Sequence, residues 1–325
     1  MLRTDDDLPA AATHTDPAFR ADVMAGLSLR HKAIPARWFY DRRGSELFEA
    51  ITALPEYYPT RAETAILRTI CPELAGMTGE GVALVEFGSG SSIKTPIVLN
   101  CIEPAAYVPI DISGDFLRSS AATLAARFPG LPVLPVEADF MYPVPLPAQV
   151  ADMPKLGFFP GSTIGNMEPL AAGTLLRAMR DWLGDGAMLL IGIDRIKDRE
   201  TLVAAYDDAA GVTAAFNLNL LTRINRELAG TIPIDAFAHE ARWNDDAARI
   251  EMHLRATRDI AFAVEDRDFT MRADETIHTE NSHKYGERDA RLLLRGGGWT
   301  PVHEWSGNGD FCVILAEARP LPIAP

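Results

Sequence analysis

The chain has 325 residues, 45 acidic against 31 basic side chains, and a formal net charge of −14. That length buries a full core in one or two domains, and the acidic balance argues against nucleic acid or an anionic membrane surface as partner, since both demand a basic face. Cys71, Cys101 and Cys312, odd in number and without a CxxC pair, read as buried thiols of a reducing cytosol rather than as a disulfide framework or zinc cluster.

Residues 1–15 are polar, lack the apolar segment of a signal peptide, and are expected to fray. No later run has the unbroken apolar length of a membrane span. A soluble, cytoplasmic protein with a small-molecule ligand is therefore the starting expectation. Asp16-Pro17 opens a helix to about Arg30, and Ser45 to Leu54 forms another. Two aromatic clusters flank it, Trp38-Phe39-Tyr40 and Tyr57-Tyr58-Pro59. Aromatics usually fill cores, yet tyrosine beside proline in a loop also lines pockets, so both uses stay open. Thr60 and Glu63 have capping-box spacing and open a helix through Cys71.

From Val82 to about Ile193 strands and helices alternate, which implies a parallel sheet with right-handed crossovers. The first unit is the most informative. Val82 to Phe87 is a short, β-rich strand, Gly88-Ser89-Gly90 a tight turn, and Thr95-Pro96 a helix start whose hydroxyl can cap free amides. Small residues there let a ligand approach the backbone, although a βα turn needs glycine for packing alone. A dinucleotide fingerprint wants a third glycine at Ile93, which disfavours an NAD-linked dehydrogenase. The second strand, Ala106 to Ile110, runs into Asp111, and the third, Leu131 to Val136, stops before Asp139-Phe140. Acids at successive strand ends suit an adenosine, with Asp111 at the ribose. The fourth strand, Leu156 to Phe159, leads into Pro160-Gly161-Ser162-Thr163-Ile164-Gly165-Asn166, which faces the glycine turn where the strand order reverses. Asn166 carries a polar head into that crevice. Ala187 to Ile193 is the fifth strand.

After Asp194 one or two helices cover Glu200 to Ala229, then strands of period two follow, with Ile250, Met252 and Leu254 on one face. This is an inserted α+β domain. It ends in Thr279-Glu280-Asn281-Ser282-His283-Lys284-Tyr285, so dense in polar groups that a solvated edge strand is the plain alternative to a binding segment. A helix Glu287 to Arg295, a strand Pro301 to Trp305, a Gly307-Asn308-Gly309 turn and a strand Phe311 to Glu317 complete a seven-stranded sheet with an antiparallel last strand. That Rossmann-like α/β arrangement is typical of class I methyltransferases acting on small molecules. None of the seven histidines has metal-ligand spacing, and no Gly-x-Ser-x-Gly elbow or Walker loop occurs.

The blocks ARWFYDRRGSELFEAITALPEYYPTRAE, VEFGSGSSIKT, YVPIDIS, EADF, PGSTIGNMEP, AYDDAAGVTAAFNLNLLTRINREL, RIEMHLRA and TENSHKY together resemble the histidine Nα-methyltransferases of ergothioneine biosynthesis, which depend on S-adenosyl-L-methionine (SAM). The likeness runs from about Arg37 to the C-terminus. It implies trimethylation of L-histidine to hercynine, with another amino acid or small amine as the alternative substrate. It implies SAM binding by Gly88 and Gly90 with Lys94 and Tyr57 nearby, Asp111 on the ribose, and Asp139-Phe140 beside the adenine. It further implies that Asn166 and Tyr206 hold the substrate carboxylate, that Tyr40 and Gly161 orient the amine, and that Glu280 and Ser282 hold the imidazole, with Met252 and Tyr57 also at the substrate. Phe87 stands where leucine is more usual, and Ser91-Ser92 make the turn serine-rich. The expected division is a SAM-binding domain of residues 60–195 and 284–325, a substrate domain of 16–59 and 196–283, and a flexible segment 1–15. A monomer needing no metal is expected.

Overall fold

The computed structural model describes residues 16–90 and 94–319. Expectations about residues 1–15 and about Ser91, Ser92 and Ile93 lie outside the described residues. Helix α1 (Pro17–Ser28), strand β1 (Lys32–Ala33) and helix α2 (Arg42–Thr52) precede the long α3 (Tyr58–Thr78). Strands and helices then alternate through β2 (Ala83–Phe87), α4 (Thr95–Ile102), β3 (Ala106–Asp111), α5 (Gly114–Arg127), β4 (Val136–Glu137), β5 (Lys155–Phe159), α6 (Pro169–Leu183) and β6 (Met188–Asp194). After α7 (Arg199–Ala204) and α8 (Val212–Glu227) come β7 (Phe237–Asn244), β8 (Arg249–Ala256), β9 (Ile260–Val264), β10 (Arg267–Met271) and β11 (Thr276–His283). Helix α9 (Glu287–Gly296) and the hairpin β12 (Trp299–Ser306) and β13 (Phe311–Ala318) close the chain.

Seven strands form one sheet in the order β12-β13-β6-β5-β2-β3-β4. Strand β2 pairs in parallel with β3 on one side and β5 on the other, so the order reverses at β2 as the sequence predicts. Strand β13 runs antiparallel to both β6 and β12. The uncharged reading of these strands has a direct cause. Ala83, Val85 and Phe87 pack with Leu175 and Leu176 of α6 and Leu294 of α9, while Leu84 packs with Leu67 and Ile70 of α3 and Val98 of α4. A sheet covered on both faces has no polar side to alternate with. Each Leu or Phe buried in it contributes about 1.5–3 kcal/mol.

A second sheet, ordered β1-β11-β8-β7, lays one face under α1, α2 and α8. Ile250, Met252 and Leu254 point into that core, as their spacing predicts. Among the described residues no helix is long and apolar enough to cross a membrane.

Several expectations need correction. The third strand shrinks to β4 plus a single bridge between Tyr107 and Val133, because Pro132 and Pro135 remove ladder donors. The polar segment at β11 is not a solvated edge: β1 covers Ile277 and His278, and beyond them Thr279, Ser282, His283 and Lys284 are buried. Helix α2 begins at Arg42, capped by Asp41, whose Oδ1 accepts from Gly44 N at 2.7 Å. Helix α3 begins at Tyr58 with Pro59 in its first turn and continues past Cys71, so Thr60 caps nothing and Glu63 turns inward. Thr95 does not cap α4 either; its hydroxyl donates to Glu86 Oε2 at 2.8 Å.

The cysteine reading also fails in part. Cys71 on α3 and Cys101 on α4 form a disulfide, their Cα atoms 5.1 Å apart, while Cys312 is free and buried. A single pair 30 residues apart has no framework signature, and its proximity arises only when α3 packs on α4. Denatured without reductant, the chain should therefore titrate one thiol rather than the three the sequence contains. A bridge closing such a loop contributes roughly 3–4 kcal/mol in the chain-entropy model, so Cys71→Ser should lower the urea midpoint accordingly.

Candidate active site

A cleft of about 590 Å³ opens at the carboxyl end of β2, where the strand order reverses. Gly88, Gly90, Lys94, Asp111, Asp139 and Phe140 line it, together with Tyr40, Tyr57, Gly161 and Asn166. Gly88 and Gly90 have φ of 71° and 48°, the left-handed region that favours glycine. A Cβ at Gly88 would stand 3.5 Å from the Phe140 ring, so the absent side chain also keeps the mouth of the turn open. Asp111 Oδ2 accepts from Gly90 N at 2.8 Å and Oδ1 from Ser113 N at 2.9 Å, tying the end of β3 to the glycine turn. Burial raises its pKa, with those amides opposing. Asp139 Oδ2 accepts from Arg37 at 2.7 Å, and the same guanidinium donates to Asp22 at 2.7 Å. Arg37 thus reaches from the N-terminal segment to the rim of the cleft, a contact that sequence reasoning missed.

Two further acids underlie the turn. Glu86 accepts from Thr95 and, at 2.6 Å, from Tyr107 Oη; burial pushes its pKa to about 7 against those hydroxyls. Glu63 is fully buried, pairs with Lys94, and accepts from Gly161 N at 2.9 Å. It clamps α3, the start of α4 and the turn after β5 together. Gly192 on β6 makes room for it, since a methyl there would overlap Glu63 Oε1. A signal for Glu63 existed in the sequence: it shares the apolar stripe of Ile66, Leu67, Ile70 and Leu74, where an acid needs a partner.

Tyr206, Glu280, Ser282 and Met252 are not on the cleft wall. Tyr206 is reached through Tyr57, their ring centroids 6.1 Å apart. A bulge between His278 and Glu280 sets where the β11 side chains point. Ile277 faces Leu254 on the core side, and without the bulge Glu280 and Ser282 would point the other way. With it, Glu280 registers opposite Met252 and Ser282 opposite Ile250. Ser282 Oγ lies 2.7 Å from Tyr206 Oη. Burial raises Glu280 to about 7, with Lys284 opposing. Tyr40, Tyr57 and Tyr206 are all pushed well above the usual tyrosine value, by burial first and then by neighbouring groups that include Glu280, so they remain hydroxyl donors.

Among the described residues Glu251, His253 and His278 bring possible metal ligands within 4.8 Å of one another. The two imidazoles stack at 18°, so their in-plane lone pairs run side by side, and Glu251 already accepts from Arg249 and Asn244.

The seven-stranded sheet with its antiparallel terminal strand, and the glycine turn at the switch point, define a class I methyltransferase fold. Within it, the chain belongs to the histidine-specific, SAM-dependent methyltransferases, whose family model matches residues 19–318. It is 42% identical over 317 residues to the histidine N-alpha-methyltransferase of Mycolicibacterium smegmatis, covering 94% of this chain and 97% of that one. The corresponding Mycobacterium tuberculosis enzyme is 40% identical over 310 residues, covering 92% and 94%. Ergothioneine biosynthesis protein 1 of Neurospora crassa is 29% identical over 300 residues, which cover 89% of this chain and 33% of that longer protein.

The turn bearing Asn166 touches β11 through Gly165, where a Cβ would stand 2.7 Å from His283 O and 3.2 Å from His283 N. Gly165→Ala should force loop and strand apart, costing roughly 1–3 kcal/mol in urea unfolding. Calorimetry should show weaker histidine binding alongside; unchanged stability and binding would mean that the two are not welded.

Proposed function

We propose that this chain transfers methyl groups from SAM to the α-nitrogen of L-histidine and carries it to the trimethylbetaine hercynine, the first step of ergothioneine biosynthesis. The observation that carries this reading is the β11 bulge, which turns Glu280 and Ser282 to the side of Met252 and next to Tyr206. The donor supplies an electrophilic methyl group. Gly88, Gly90, Lys94, Asp111, Asp139, Phe140 and Tyr57 would hold it, in a cleft whose glycines and acid fit an adenosine. Asn166 and Tyr206 take the amino acid's carboxylate, and Tyr40 with Gly161 orients the amine. Because Gly161 N is committed to Glu63, the group it offers the amine is its carbonyl.

Methyl transfer needs a neutral nitrogen lone pair aligned with the donor, so positioning supplies much of the rate. The α-ammonium of a free amino acid, beside its own carboxylate, titrates above the value of about 8 of a peptide N-terminus, so the site has to favour its neutral form before transfer. Glu280 accepts the imidazole N–H, and selectivity follows from leaving a buried carboxylate unpaired when an apolar amino acid binds. Residues 60–195 and 284–325 form the SAM-binding unit in this reading, and 16–59 with 196–283 the substrate unit. The enzyme works as a cytoplasmic monomer without a metal.

Incubation with SAM and histidine should give mono-, di- and trimethylated histidine by mass spectrometry; SAH binding without any product would refute the reading. Glu280→Ala should raise the histidine KM roughly 10- to 100-fold, with SAH affinity unchanged. Ionised Glu280 is the stronger acceptor for the imidazole N–H, and burial pushes its pKa to about 7, so kcat/KM for histidine should fall as pH drops below that value.

A further inference from the structure

A buried cluster behind Tyr206 is left unused by this mechanism. The Lys284 side chain is wholly inaccessible, and its ammonium reaches Asp194 Oδ2 at 2.7 Å, Tyr206 Oη at 2.9 Å and Ser282 Oγ at 2.8 Å. An ammonium has three protons, and here each has an acceptor. Asp194 also accepts from Lys197 Nζ at 2.5 Å and Tyr58 Oη at 2.7 Å. Two ammoniums share the Asp194 carboxylate, with Asp310 acting on Lys197 and Glu280 acting on Lys284, so the cluster's charges are compensated where water does not reach.

We propose that Lys284 is the positioning residue of the carboxylate subsite, fixing the hydroxyls of Tyr206 and Ser282 so that one O–H is left to point at the bound amino acid. The proposal rests on the histidine-methyltransferase reading. Its core is a proton count. Lys284 can only donate, so both hydroxyl oxygens are committed as acceptors towards it. Tyr206 and Ser282, 2.7 Å apart, share one of their two hydroxyl protons. With Ser282 donating to Tyr206, the remaining proton is that of Tyr206, which has no partner within the triad and turns outward to the carboxylate oxygen, while Ser282 keeps a lone pair for the imidazole N–H.

Lys284 acts on Glu280 as well. The groups acting on Glu280 from the surrounding elements are Tyr40, Tyr57, Tyr206 and Lys284, of which only Lys284 is cationic and favours the ionised carboxylate. Lys284 in turn faces Asp194, Lys197, His283 and Tyr285. Its removal therefore takes away the charge that keeps Glu280 ionised near neutrality.

The test compares full-length wild type, Lys284→Met, Lys284→Gln and Lys197→Met. With Lys284 replaced, the histidine KM should rise about tenfold or more while SAH affinity stays unchanged, because an unfixed hydroxyl pair loses its outward donor. The acid limb of kcat/KM should also move to higher pH by about one unit. Lys197 touches Asp194 and Tyr58 but neither substrate-side hydroxyl, so Lys197→Met should lower the melting temperature and leave the histidine KM alone. A Lys284 variant that binds SAH normally with an unshifted KM and pH profile overturns the proposal. Should neither Lys284 variant bind SAH, Tyr206→Phe decides: an unchanged histidine KM overturns the proposal, and about a tenfold rise supports it. A wild type that makes no methylated histidine refutes the functional reading itself and the proposal with it, an outcome distinct from a defect confined to the variants.

Discussion

The two sheets meet at one desolvated carboxylate that must be compensated. Asp194 ends β6 in the large sheet, and Lys284 follows β11 in the small one; between them runs a buried ion pair of 2.7 Å. Burial opposes the Asp194 charge, but Lys284 and Lys197 hold its pKa below the usual carboxylate value. Around it the chain is drawn together. Tyr58 at the start of α3 donates to it, Ser162 Oγ accepts its amide N–H at 2.9 Å, and Tyr285 N donates to its carbonyl at 3.0 Å. Removing one partner of such a pair strands a buried charge, which typically costs 3–5 kcal/mol. The loop after β5, the helix leading into the sheet and the end of β11 therefore have to arrive together, and the cleft exists only when they do.

What was legible in the sequence was whatever a strand's or helix's own neighbours dictate. Ala83–Phe87, Ala106–Asp111, Lys155–Phe159 and Phe311–Ala318 lie buried on both faces, so their apolar runs marked them and the acid at the end of β3 marked the crevice. Proline chemistry was legible but under-weighted: Pro132 and Pro135 forbid most of the ladder that the apolar pattern between them suggested. The cysteine pair and Glu63 were hidden for a different reason. Their partners, Cys101 for Cys71 and both Lys94 and Gly161 for Glu63, come from elements that meet only after the sheet has formed.

The substrate side was legible only through resemblance to known sequences. Period-two reading places Glu280 and Ser282 opposite to the core-facing Ile277, and a one-residue bulge reverses that parity. Nothing in the local composition of Thr279-Glu280-Asn281 announces a bulge. The structure explains why it is tolerated: the extra residue, Thr279, is buried, and its single hydroxyl proton lies between two acceptors, Asn217 Oδ1 at 2.8 Å and Met252 O at 3.0 Å. The buried hydroxyl is thereby satisfied from α8 and β8, as a buried polar group must be.

On the proposed chemistry the same pocket has to hold a nitrogen that changes character. A primary amine offers N–H donors to the Gly161 carbonyl, and each methyl removes one, until the trimethylated product is a fixed cation with none. Hydrogen bonding then falls away as the charge becomes permanent, and the attraction that grows in its place is between cation and aromatic ring. Tyr40 and Tyr57 are suited to that exchange because neither can ionise near neutrality, so their rings meet the cation as neutral phenols. Tyr40 is held in T-shaped contacts with Phe48 and Phe216, at 5.7 and 5.8 Å, and Tyr57 in one with Phe48 at 6.2 Å. Rings fixed in this way lose little entropy on binding, so the site can bind each methylation state without rearranging its walls.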